Sequence, residues 1–166
     1  MEDQIVSKPK LQSSTTDTEG KLQLNQQLCF ALYSTSRSIT KAYSVLLDEL
    51  GVTYPQYVAL LLLWQQDGIL VSEIANALEI DGGTATPMVQ RLEKLGLVTR
   101  IRCDADERRV RVYLTPKGKA AYETALLVPA GLGEATGLDP KTAERLVSEM
   151  NDIKTHICEW LDDKPS

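Results

Sequence analysis

The spacing of apolar residues changes twice between Thr84 and Pro116, and both changes fall on residues that interrupt regular structure. Up to Gly96, the apolar residues Met88, Leu92 and Leu95 recur every three or four positions, the period of one helix face. After Gly96 the period drops to two. Leu97, Thr99 and Ile101 alternate with Val98, Arg100 and Arg102, and later Val110, Val112 and Leu114 alternate with Arg109, Arg111 and Tyr113. Polar residues 103–108 separate the two runs as a turn, and the pattern predicts a hairpin with arginines on one face. A helix joined by one glycine to a two-stranded hairpin has few ways to fold, because both must bury their apolar sides in one core.

The flanking periods are helical. In residues 22–50, Leu24, Leu28, Leu32, Ile39, Leu46 and Leu50 keep to one helix face, which predicts a single helix closed by Gly51. Thr53-Tyr54-Pro55 opens a second, whose VALLLLWQQ stretch is apolar nearly all round and predicts burial. Residues 71–78 read as a short helix with Ser72 as N-cap and Ile74, Ala75 and Leu78 on one side; Ile80-Asp81-Gly82-Gly83 reads as a turn. The next helix, residues 84–95, carries Thr84, Gln90, Arg91 and Lys94 outward. Pro87 leaves two starts open: at Pro87 with Thr86 as cap, or near Gly82 with a bend at Pro87. Thr115-Pro116 opens a helix to about Val128, and Gly131, Gly133 and Gly137 loosen the segment after it. Asp139-Pro140 opens a last helix that reaches Trp160 and Leu161, while residues 1–20 lack periodicity and read as a flexible tail.

A chain of 166 residues with 43% apolar and 25% charged residues suits one globular domain. Its longest apolar run, residues 57–64, is far short of the roughly 20 residues of a membrane span. The acidic MEDQ start with no apolar stretch behind it is unlike a secretory signal. Three cysteines without close spacing make no disulfide scaffold, so a reducing cytoplasm is the expected setting. The net charge of −5 hides an asymmetry: residues 87–119 hold nine Lys/Arg against four Asp/Glu, the remainder nine against nineteen. Such a segment reads as a footprint for a polyanion, nucleic acid first, or as a solvated hairpin.

Two short helices joined by a tight turn, then a hairpin, outline a winged helix-turn-helix. A helix fits the major groove of DNA, and a basic hairpin loop can reach the adjacent minor groove. Residues 81–118, DGGTATPMVQRLEKLGLVTRIRCDADERRVRVYLTPKG, resemble the winged helix of the MarR (multiple antibiotic resistance regulator) family. The likeness lies in R-L-E-K-x-G-L-V-x-R followed by D-x-x-D-E-R-x-V-x-V-x-L-T-x-x-G. It implies a mainly α fold with a small β-hairpin wing (α+β), the DNA-reading part at residues 53–118 and dimerisation helices at 21–52 and 119–162. It further implies a homodimeric repressor on a pseudo-palindromic operator of double-stranded DNA. Thr84, Thr86, Gln90, Arg91 and Lys94 would then meet bases and phosphates in the major groove, and Arg108, beside Arg109, would enter the minor groove. Asp106 would repel phosphates, so its implied role is to steady Arg108 through a charge-assisted hydrogen bond.

No metal cluster is evident, since His156 and Cys158 stand two apart and point to different helix faces. Cys103 falls in the wing loop. Cys29 has Tyr33 four residues on, on the same helix face, with Tyr43 and Tyr54 fourteen and twenty-five residues beyond it. From the residues alone, a cysteine on an apolar helix face is inert core and the tyrosines are ordinary half-buried aromatics. The Cys, +4, +14, +25 pattern, with T-x-T-P and D-G-G nearby, resembles the organic hydroperoxide resistance regulators, a branch of the MarR family. That resemblance implies Cys29 as redox sensor, Tyr33, Tyr43 and Tyr54 as its hydrogen-bond partners, an organic hydroperoxide as oxidant, and no cofactor or metal.

A thiolate attacking a peroxide oxygen gives a sulfenic acid and an alcohol, and phenol O–H donors stabilise the thiolate. A helix beginning near residue 22 would put Cys29 about two turns in, where the helix dipole contributes little. Tyr43 lies about 21 Å along that helix at about 1.5 Å per residue, beyond reach of its own Cys29 if the helix is straight. Bonds from Tyr43 and Tyr54 to Cys29 would then come from the other subunit. Part of the branch carries a resolving cysteine near residues 128–134, absent here. A mixed disulfide with a low-molecular-weight thiol is therefore expected, with Cys158 as the alternative intersubunit partner.

Other readings stay open. A MarR-type repressor could release its operator on binding a small phenolic or lipophilic ligand, with Cys29 a bystander. A thiol peroxidase would need a reducing partner and usually a resolving cysteine, and the chain has no C-x-x-C. An interaction module without DNA binding fits poorly with the set Arg100, Arg102, Arg108, Arg109 and Arg111.

Overall fold

The computed structural model describes residues 22–103 and 106–164, apart from the side chain of Glu107. The expected tail at residues 1–20 and the loop residues Asp104 and Ala105 lie outside the described residues. The described residues divide into two units, with the boundary between Arg37 and Ser38.

The first unit does not carry one helix from residue 22. A 3-10 helix at Leu24–Gln26 is followed by an extended Gln27 (φ −86°, ψ 118°), and helix α1, Leu28–Leu46, begins there. The reason is local: the N–H groups of Gln26 and Gln27 close tight turns on Gln23 and Leu24 at 3.0 and 3.2 Å, which halts α-helical winding. The first α-type bond runs from Ala31 N–H to the Gln27 carbonyl at 3.0 Å. Cys29 thus stands in the first turn of α1, not two turns inside it.

In the second unit, α1 stops at Leu46, short of the expected end at Gly51; residues 47–51 are turn, and Gly51 at φ +62° takes the left-handed conformation that closes it. Helix α2, Tyr54–Gln65, starts where Gln56 Oε1 takes the Thr53 N–H at 2.8 Å and the Thr53 hydroxyl at 3.1 Å. It buries Tyr57, Ala59, Leu60 and Leu63. A strand the pattern missed, β1 at Ile69–Leu70, is too short to show an alternation. It fixes the start of helix α3, Val71–Ala77, whose N-cap is Leu70 rather than Ser72; Glu73 Oε2 takes the Leu70 N–H at 2.6 Å. Helix α4, Gly82–Lys94, starts at the earlier of the two candidate sites, on an Asp81 cap, and carries Pro87 inside.

Strands β2, Val98–Cys103, and β3, Asp106–Leu114, form an antiparallel hairpin, and β1 adds to the free side of β3. Of the expected turn at residues 103–108, Cys103 and residues 106–108 belong to strands, and the register shifts between Arg102 and Cys103. The register also corrects the expected arginine face. Arg100 pairs with Val112 and Arg102 with Val110, whereas Arg111 pairs with Ile101. Paired residues share a face, so Arg100 and Arg102 lie on the side of buried Val98 and Val112, and Arg111 lies opposite. The sequence alternates within each strand, but only the register decides which halves coincide.

Helix α5, Pro116–Ala125, is capped by Thr115, whose side chain takes the Gly118 N–H at 3.0 Å. The glycine-containing segment expected to be loose is helix α6, Val128–Thr136, ended by Gly137 at φ +68°. Helix α7, Pro140–Asp162, runs as expected. Leu47, Leu60, Leu63, Ile74, Val89, Leu92, Val98 and Val112 form the fully buried centre of the core, wedged between α2, α3, α4 and the sheet.

Candidate nucleic-acid interface and thiol site

Helix α4 is amphipathic in the expected sense. Ala85, Met88, Val89 and Leu92 are buried, while Thr84, Thr86, Gln90, Arg91 and Lys94 are exposed. Asp81 holds its first turn: Oδ1 takes the Thr84 N–H at 2.9 Å, and Oδ2 takes the Thr84 hydroxyl at 2.8 Å. These bonds, the hydroxyl's foremost, hold the Asp81 carboxyl below the usual carboxylate range. Arg91 and Lys94 occupy the last turn, where the helix dipole favours cations.

The wing arginines divide by what holds them. Arg100 Nε donates to Glu93 Oε2 at 2.8 Å, and its N–H donates to Oε1 at 3.0 Å, tying α4 to β2. Arg111 Nη1 donates to the Gly68 carbonyl at 2.7 Å. These two are structural ties that the charge count could not separate from the rest. Among the described residues the guanidinium of Arg108 has no partner and is exposed, as is Arg109. Asp106 does bond to Arg108, but Oδ1 takes the backbone N–H at 3.0 Å, so it shapes the wing turn and leaves the side chain unbound. Arg108, Arg109 and Arg100 line a cleft of about 350 Å³ with Thr86, Gly82 and Ser72. A surface with cationic side chains on a wing and polar side chains on an adjacent helix can meet phosphates and base edges together.

In the first unit, Cys29 is exposed, with Leu28 56%, Phe30 38% and Leu32 40% accessible around it. The N–H groups of Leu28, Cys29 and Phe30 precede the first α-type bond, and such a helix start favours an anion. Tyr33 stands one turn on, and its Oη accepts from Arg37 Nη1 at 3.1 Å while that guanidinium lies 5.6 Å from the ring centre. Among the described residues of this unit, no hydrogen bond reaches the Cys29 thiol. Arg37 escaped the sequence pattern although it repeats the spacing of four that links Cys29 to Tyr33.

In the second unit, the Tyr43 and Tyr54 rings pack at 4.4 Å, and Tyr57, a third tyrosine outside the sequence pattern, lies 5.9 Å from Tyr43. Burial pushes the phenols of Tyr43 and Tyr57 above their ordinary range, with the neighbouring tyrosines adding to it, so both remain O–H donors. Cys158 is exposed on α7 and Cys103 half-buried on β2. Among the described residues, no helix is long and apolar enough to cross a membrane.

Residues 52–110 match the MarR family. The organic hydroperoxide resistance transcriptional regulator of Bacillus subtilis is 46% identical over 123 residues, covering 72% of this chain and 84% of its own. Among solved structures, reduced AbfR bound to DNA aligns with a TM-score of 0.68 at 30% identity, covering 81% of this chain and 93% of that one. A disulfide form of AbfR, a protein of Staphylococcus epidermidis, aligns at 0.58 and 29%, covering 84% and 93%. With nearly half of the aligned residues shared with a curated regulator and a TM-score of 0.68 to DNA-bound AbfR, the chain belongs to the MarR family of winged-helix transcription regulators.

Proposed function

We propose that this chain is a homodimeric repressor that leaves its DNA operator when an organic hydroperoxide oxidises Cys29. The observation that carries the reading is the exposed Cys29 in the first turn of α1, one turn before Tyr33, in a chain so similar to an organic hydroperoxide resistance regulator. The thiolate attacks the outer peroxide oxygen; an S–O bond forms, the O–O bond breaks, and the departing alkoxide takes a proton to become an alcohol. The sulfenic acid then condenses with a low-molecular-weight thiol, releasing water and leaving a mixed disulfide. Tyr33, together with Tyr43 and Tyr54 of the partner subunit, supplies O–H donors to the sulfur. Residues 21–52 and 119–162 join the two subunits. Residues 53–118 read DNA, with Thr84, Thr86, Gln90, Arg91 and Lys94 in the major groove and Arg108 and Arg109 on the wing.

The test is Cys29→Ser. Wild-type protein treated with cumene hydroperoxide should lose operator affinity by about tenfold or more, and the variant should hold DNA equally with and without oxidant. Release of the variant to the same extent would move the sensing chemistry away from Cys29.

A further inference from the structure

Thr84 and Thr86 are both exposed on α4, yet they differ in what they can offer a partner. A threonine hydroxyl has one donor and two acceptor lone pairs, whereas an ionised carboxylate only accepts. In the 2.8 Å contact with Asp81 Oδ2, the Thr84 hydroxyl must therefore donate. The other carboxylate oxygen takes the Thr84 N–H at 2.9 Å. Both donors of Thr84 are turned back on the cap, and what this exposed side chain has left to offer a partner is its oxygen lone pairs and a methyl group. Thr86 has no such partner among the described residues, so its hydroxyl can turn to donate or to accept.

The polarity is set by local sequence. The same arrangement recurs at the start of α7, where Asp139 takes the Thr142 N–H at 3.1 Å and its hydroxyl at 2.6 Å. Only at α4 does it sit in the first turn of a helix that also exposes Gln90, Arg91 and Lys94. Residues in that turn of a recognition helix are the ones that meet base edges.

We infer that Thr84 is an acceptor-only reader: on one DNA strand it selects a base with an exocyclic amine, adenine through N6 or cytosine through N4. Thymine and guanine present acceptors at the corresponding major-groove positions and are refused. Asp81 is the positioning residue that fixes this polarity. The inference rests on the DNA-binding part of the proposed function and is independent of Cys29.

The experiment selects binding sites from a randomised duplex pool with full-length wild-type protein, Thr84→Val and Thr84→Ser. Valine keeps a methyl group in place, so a thymine-methyl contact would survive while the lone pair is lost. Wild-type and Thr84→Ser proteins should share one position per half-site that prefers adenine or cytosine, and Thr84→Val should lose that preference alone. At that position, replacing adenine by purine, or cytosine by pyrimidin-2-one, should cost wild-type protein about fivefold in affinity and leave Thr84→Val indifferent. An unchanged motif in Thr84→Val would overturn the inference. So would a Thr84-dependent position occupied by guanine or thymine. Enrichment of no sequence at all would overturn the DNA-binding reading and this inference together, an outcome distinct from the other two.

Discussion

The segment from α2 to β3 and the long helix α7 solve the burial of apolar surface in opposite ways. From α2 to β3 the large side chains Leu60, Leu63, Ile74, Val89, Leu92, Val98 and Val112 are almost wholly enclosed. Polar ties such as Glu93–Arg100 and Arg111–Gly68 lock its helices and sheet together. Helix α7 buries no residue, and Val147, Ile157, Trp160 and Leu161 are each more than half exposed. Fully burying such a side chain yields about 1.5–3 kcal/mol, so the first region is stabilised by its own residues while α7 leaves much of that term unused in a single chain. The reading module is complete in one copy, and the dimer of the proposed function is what would give α7 something to cover its apolar side.

Gly118→Ala tests the self-contained packing of the first region with the largest expected effect. A Cβ on Gly118 would stand 1.9 Å from the Leu97 carbonyl oxygen and 3.2 Å from Leu114 Cδ2. The same residue's carbonyl accepts from Trp64 Nε1 at 2.9 Å, and its N–H is held by the Thr115 cap, so neither side can yield cheaply. The variant should lose about 3 kcal/mol or more of stability in urea denaturation followed by tryptophan fluorescence. A loss under about 1 kcal/mol would mean that the joint between wing and α5 has slack, and that the module is less self-contained than its packing implies.

This glycine also marks what the sequence could and could not tell. Its place in L-T-x-x-G carried the family resemblance, but nothing in the spelling says that the Leu97 carbonyl fills the space of its Cβ. Helices α2 and α7 were legible because Thr53, Pro55, Asp139 and Pro140 announce their starts. Strand β1 was illegible because two residues carry no period. The division of the arginines was hidden for a different reason: it depends on which residue of β2 faces which of β3, a tertiary fact. The spacing of Cys29 and Tyr33 could be read directly, whereas the true start of α1 turned on Gln27 adopting an extended backbone, which no propensity dictates.

Within the reading module, a residue that holds the fold and one that faces outward should separate cleanly. Arg108 has its backbone N–H fixed by Asp106 and its guanidinium unbound among the described residues. Arg108→Ala should leave stability within about 0.5 kcal/mol of wild type. It should weaken operator binding by about tenfold and lower the slope of log affinity against log salt by about one per wing. Fluorescence anisotropy across a potassium chloride series reads both numbers. An unchanged slope would show that Arg108 does not touch the DNA backbone.

Glu93→Gln supplies the converse with the smallest effect. Glu93 links α4 to β2 through Arg100, with side chains 34% and 29% accessible, so the pair is half screened and its loss should cost about 1 kcal/mol at pH 7. The bond from Arg100 holds the Glu93 carboxyl below the usual glutamate range. A carboxyl depressed in the folded state stabilises it at pH above its unfolded value, and that contribution vanishes as pH falls through the folded value. The difference in melting temperature between wild type and variant should therefore be full at pH 6–7 and close only as pH falls well below the ordinary glutamate range, about 4.3. A difference that persists into that acid range would assign the effect to the shape of the side chain instead of its charge. Operator affinity at neutral pH should not fall, because the change removes a negative charge and frees Arg100 beside the cleft that Arg108 lines. A tie that costs stability but not affinity, set against an outward arginine that costs affinity but not stability, is the separation expected of a module that folds on its own contacts and keeps its free charges for a polyanion.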